Sequence, residues 1–185
     1  MKTQPFFRSY PLTIWNILTI IVYTLFSTGL LYYYHYKTYP SPNYLLGYIF
    51  GTQLGLILFQ YRAIRNLYMY LFWLLVSIGH SITAYIIKDI TLFQFAAGHL
   101  SMMMANTLFL VMILQVLRYI SVTLQGHEFI TPRDIHNERK VTWVDFLCTG
   151  IYFTVLFLGI FAMPKRPVEK PKPEYIIYLK RDGVK

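Results

Sequence analysis

From Leu12 to Tyr34 the chain carries no charged side chain, and further apolar runs follow it as far as Met163. A helix needs roughly 20 apolar residues to cross a hydrocarbon core of about 30 Å. The runs fall at about 12–34, 44–61, 67–87, 91–118 and 141–163. They read as an all-α, polytopic integral membrane bundle of about five transmembrane helices. A four-span alternative makes the second segment re-entrant. The first run is too long for the apolar part of a signal peptide and lacks a small-residue cleavage site, so it reads as a retained helix.

The breaks between the runs carry their own signals. Pro40-Ser41-Pro42-Asn43 is a turn, Arg62 and Arg65 close the second run, and Lys88-Asp89-Ile90 reads as a tight hairpin. The fourth run begins at Thr91 and continues to Leu124 with Arg118 as its one charge. Wholly helical, it would be about 50 Å long. A polar connector, 125–140, separates it from the fifth. Residues 1–11 form an N-terminal tail, 12–163 the bundle, and 164–185 a basic, proline-rich tail that favours extended conformation. In that tail Tyr175 to Leu179 is β-prone and could add a strand to a partner.

Composition excludes the common alternatives. Of 185 residues, 56% are hydrophobic and 14% charged, against about 45–50% and about 25% in soluble domains. A disordered chain would be polar and poor in aromatics. A disulfide scaffold would need more than Cys148. The net charge of +9 sits in loops and the tail, which suits bound anionic lipids and acidic partner subunits rather than nucleic acid. Positive charge divides almost evenly between the two faces of a five-span bundle and sets no orientation. A bacterial plasma membrane and a mitochondrial inner membrane suit the chain equally.

Two small-residue stripes point to helix packing. Gly47, Gly51 and Gly55 form overlapping GxxxG repeats, which let a neighbouring backbone approach closely in lipid. Ala97, Ser101 and Ala105 repeat at the same spacing on the fourth helix. The sharpest chemical feature is a histidine pair. His80 lies nine residues before Asp89 and His99 ten after it, so antiparallel helices meeting at a tight turn would place both imidazoles roughly 14 Å from it, near the midplane. Intramembrane ionisable groups usually face the bundle interior. Three roles compete there: axial ligation of a b-type haem, a proton or quinone pocket, and a structural interhelical hydrogen bond. Helices joined so tightly pack roughly 8–10 Å apart, too close for a porphyrin between two imidazoles unless they splay.

Other residues have simpler readings. Met102-Met103-Met104 cannot converge on one ion from a helix and reads as packing. Thr142-Trp143-Val144-Asp145 has capping-box spacing at the start of the fifth helix. His127, Glu128, Asp134, His136 and Glu138 read as a solvated or subunit-facing loop, with metal binding as the alternative. No nucleotide loop, nucleophile motif or HExxH is present. In carrying His80 and His99 in successive helices and His136 before the last one, the chain resembles small cytochrome b-like and oxidase-assembly membrane proteins. That resemblance implies haem ligation by these histidines.

The expectation is therefore a small non-catalytic accessory subunit of a larger membrane complex, respiratory or otherwise energy-transducing. The alternatives are a haem b or quinone electron-transfer protein using His80 and His99, and a small proton or solute transporter.

Overall fold

The computed structural model describes residues 10–36, 41–90, 93–95, 98–130 and 140–161. Five α-helices account for most of them: α1 Ile14–Tyr36, α2 Pro42–Gly55, α3 Leu67–Ile87, α4 Leu100–Gln125 and α5 Trp143–Phe161. α1, α3 and α4 are long and apolar enough to cross a membrane, whereas the apolar stretch of α5 is shorter. α2 begins with Pro42 in its first turn, where the missing N–H costs nothing. It runs on through a π-helical turn, Leu56–Gln60, and a 3-10 turn, Ala63–Arg65.

Side chains fix the helix ends. Asn66 caps α3 by accepting from the Tyr68 amide at 2.9 Å, and its Nδ2 donates to the Tyr10 carbonyl at 2.7 Å. The segment before α1 is thereby pinned beside the start of α3. α4 ends at Gly126, whose φ of 75° is the left-handed conformation glycine adopts without steric cost. At α5 the expected capping box is present. The Thr142 amide donates to Asp145 Oδ2 at 2.7 Å, and the Asp145 amide donates to Thr142 Oγ1 at 3.3 Å.

The fourth helix departs from expectation. It starts at Leu100 rather than Thr91, and ends at Gln125, one residue beyond the end of the apolar run at Leu124. At 26 residues it spans about 39 Å. The connection from α3 is not a tight hairpin but a longer segment. In it Gln94–Phe95 and Gly98–His99, β1 and β2, pair antiparallel. Phe93 is buried there among Leu45, Ile87 and Leu100. Hydropathy reports burial, and an apolar plug at a loop reads the same as a helical turn.

α4 is the central helix, buried along most of its length, whereas α1 has no fully buried residue. Two apolar cores stack along the bundle. One joins Leu45 and Ile49 of α2, Ala84 and Ile87 of α3, and Met103 and Met104 of α4. The other joins Leu56 and Ile57, Met69 and Trp73, Leu110 to Leu117 on α4, and Val144, Cys148, Tyr152 and Leu156 of α5. In sequence order, each of α2, α3 and α4 carries buried polar residues between its two sets of core residues: Thr52 and Gln53, Ser77 and His80, and Thr107.

Candidate functional site

Among the described residues, this polar layer is the one place where side chains of all five helices take part in hydrogen bonds. His80 of α3 stands at its centre, seven residues before the helix end and so about 10 Å inside it. Its Nε2 lies 3.0 Å from the Tyr48 hydroxyl and 3.4 Å from that of Tyr23. Its Nδ1 lies 3.2 Å from Thr107 Oγ1 on α4. Tyr48 in turn meets Ser27 Oγ at 2.8 Å, and Tyr23 meets Thr52 Oγ1 at 3.0 Å. Gln53 Nε2 donates to Thr107 Oγ1 at 3.0 Å and to the Met103 carbonyl at 2.6 Å. Tyr152 of α5 closes the layer by donating to the Gln53 carbonyl at 2.7 Å.

Counting protons assigns the direction of every bond. Ser27 Oγ donates to the Tyr23 carbonyl and Thr52 Oγ1 to the Tyr48 carbonyl, both at 2.7 Å; a carbonyl only accepts. Each hydroxyl has then spent its single proton. Tyr48 must therefore donate to Ser27, and Tyr23 to Thr52. Neither phenol has a proton left for His80, so Nε2 carries the hydrogen and donates to phenolic oxygen. Thr107 accepts from Gln53. A buried imidazole with no counter-charge is neutral, so with the proton on Nε2 the Nδ1 accepts from Thr107, and the ring is the Nε2–H tautomer. The chain Gln53–Thr107–His80–Tyr48–Ser27 runs sideways between helices and ends on a backbone carbonyl. It is a lateral clasp rather than a path along the bundle axis.

His99 sits elsewhere. It is the N-cap of α4: Nδ1 accepts from the Ser101 amide at 3.2 Å and faces Ser101 Oγ at 2.9 Å. Its Nε2 donates to the Ile90 carbonyl at 3.0 Å, tying the α3–α4 connection shut. The two histidines share no hydrogen-bond partner. The residue opposite His80 is Thr107, because α4 starts nine residues later than the tight-turn expectation required.

The small-residue stripes also separate. An added Cβ at Gly47, Gly51 or Gly55 would meet nothing within 4 Å. These glycines line a groove of about 480 Å³ between α1 and α2, with Thr19, Tyr23 and Phe26 opposite. Close approach occurs instead at Gly159 of α5, where a Cβ would collide with Asn106. Asn106 donates there to the Val155 carbonyl at 3.1 Å. In the second stripe, Ser101 serves the α4 cap, Ala105 is half-buried against the first core, and Ala97 lies outside the described residues.

A second polar centre joins residues that the sequence keeps apart. Arg118 is 2% exposed and donates to Gln115 Oε1 at 2.6 Å and to Glu128 Oε1 at 2.9 Å. Glu128 also pairs with Arg65 at 2.5 Å. Glu128 of the connector is thus not a solvated loop charge. Asp134, His136 and Glu138 lie outside the described residues, among which no cluster of His, Cys, Asp and Glu could hold a metal ion. Cys148 is buried, with Sγ 3.8 Å from the Leu117 carbonyl. Met103 and Met104 are core while Met102 is exposed, as helical geometry requires.

Comparison with known protein families, curated proteins and solved structures finds no match.

Proposed function

We propose that this chain is a small accessory subunit of a larger membrane complex, a five-helix bundle whose α1–α2 face receives a helix of another subunit. The observation that carries it is the open glycine stripe. In lipid, apolar contact gives no net drive to association, and small-residue faces serve to let backbones approach. Gly47, Gly51 and Gly55 present such a face to a groove that no helix of the described chain fills. The five-span count rests on length. α2 with its π-turn covers 42–60, and α5 has 19 residues, each roughly 28 Å and close to the hydrocarbon thickness.

Electron transfer and transport are less well supported. Iron ligation through His80 and His99 would require both imidazoles to abandon their present partners and α4 to lose its cap. A proton path would need a chain along the axis, whereas the clasp runs across it. Native mass spectrometry of gently extracted protein tests the subunit role. Recovery at fixed stoichiometry with larger partners is the expected result. A monodisperse monomer free of partners would overturn it, and a Soret band lost in His80→Ala would reinstate haem.

A further inference from the structure

Beside the clasp lies a cavity of about 680 Å³ between α1 and α3, with Leu30, Leu31, Ile86 and Ile87 among its apolar walls. Its polar lining includes two side chains that the clasp does not use, Thr24 and Thr28 of α1. Elsewhere on α1, α2 and α3, the hydroxyls of Thr19, Ser27, Thr52, Ser81 and Thr83 each donate to the carbonyl four residues earlier. Thr24 and Thr28 do not, and neither hydroxyl has a hydrogen-bond partner among the described residues. Both lie within three residues of the middle of the 23-residue α1, so within about 5 Å of the bilayer midplane. At that depth neither water nor a headgroup satisfies them.

We propose that this cavity binds the ring of a prenylquinone, with Thr24 and Thr28 donating to its two carbonyl oxygens. Each hydroxyl has a proton to give, and a quinone ring offers acceptors alone. Residues four apart on a helix have Cβ atoms about 5–6 Å apart, close to the separation of para carbonyl oxygens, so a ring lying along α1 meets both. On the α3 wall Gly79 carries no side chain, and a Cβ there would meet nothing within 4 Å, which leaves room for a flat ring. Depth rejects the other lipids. Ester carbonyls and the sterol hydroxyl stay at the polar boundary, about 15 Å from the midplane, and an acyl chain would leave both hydroxyls unpaired. His80 is not a ligand to the ring, because its Nε2 hydrogen is already donated to phenolic oxygen. The proposal concerns binding, and it rests on the membrane location rather than on a partner subunit.

The test is photolabelling of the full chain in phosphatidylcholine nanodiscs by a short-chain prenylquinone carrying an azide on its ring, with adducts mapped by mass spectrometry. The expected result is saturable labelling at 23–31 and 79–83, above that of the lipid-exposed Leu75. Excess unlabelled prenylquinone should displace it, and cholesterol or diacylglycerol should not. Thr24→Val and Thr28→Val keep the side-chain shape, and each should raise the half-saturating concentration about 3–10-fold. The double valine variant should lose saturable labelling with its unfolding titration unchanged, and serine at both positions should retain it. Gly79→Trp should also remove it, by filling the space. Labelling that never saturates, displacement by cholesterol or diacylglycerol, or saturable labelling that survives the double valine variant or Gly79→Trp overturns the proposal.

Discussion

Arg118 is a guanidinium seven residues inside the end of an apolar helix, a position where an uncompensated charge is costly. What makes it tolerable is the chain's reversal at Gly126, which brings Glu128 back against α4. Glu128→Gln is therefore expected to destabilise the bundle by about 3–5 kcal/mol, read as unfolding free energy in a denaturing-detergent titration. Adding Arg118→Met should recover much of that loss. If the double variant were as unstable as the single one, the ion pair would not be the cause. At His80 the expected cost is smaller. His80→Phe breaks interhelical bonds that average ~0.6 kcal/mol each in membrane proteins, and Tyr48→Phe should fall in the same range by the same titration. His99→Ala should cost ~1 kcal/mol as a lost cap, with faster amide exchange in the first turn of α4. His99→Ser should restore that protection, which a lost iron ligand would not allow.

Among the helices, two glycine positions predict opposite outcomes. At Gly159 a side chain has no room, because Asn106 occupies the space on its way to the Val155 carbonyl. Gly159→Leu should destabilise the α4–α5 pair by about 1–3 kcal/mol through overpacking. At Gly51 there is space on the chain's own side. Gly51→Leu should leave the unfolding titration of the isolated chain unchanged while abolishing recovery with larger partners. A variant that unfolds the chain itself would place the stripe inside this bundle. Spacing singles out Gly51 but not Gly159, and only packing tells a filled face from an open one. The π-helical turn after Gly55 had no sequence signal beyond the end of an apolar run.

For the molecule as a whole, the helix directions follow from the contacts. Asn66 holds Tyr10 beside the start of α3, and Tyr34 reaches Ser41 and the Leu45 amide at the start of α2. Single cysteines at Tyr10 and Lys140 should therefore react with a membrane-impermeant thiol reagent from one side, and a cysteine at Lys88 from the other. The native Cys148 is buried and should stay silent. Labelling of the Tyr10 and Lys88 positions from the same side would replace five spans with the re-entrant arrangement.

Uncharged runs of spanning length are enough to determine a helical membrane bundle, because a lipid-exposed backbone must bond to itself. Local chemistry is likewise legible. The Thr142–Asp145 cap and the divergence of the three methionines depend on residues within a turn of one another. The partner of His80 is not local. It depends on where α4 begins, and hydropathy does not tell the apolar stretch before Leu100 from helix. That shift removes His99 from the midplane to a cap and brings Thr107 into its place. Tyr23 and Tyr48 stand within apolar runs, and they become part of the clasp only because α1 and α2 are set against α3. Glu128 and Arg118 lie ten residues apart, and only the turn at Gly126 makes them a pair. Tertiary structure decided which polar groups meet, since each buried donor must find an acceptor on whichever helix lies opposite.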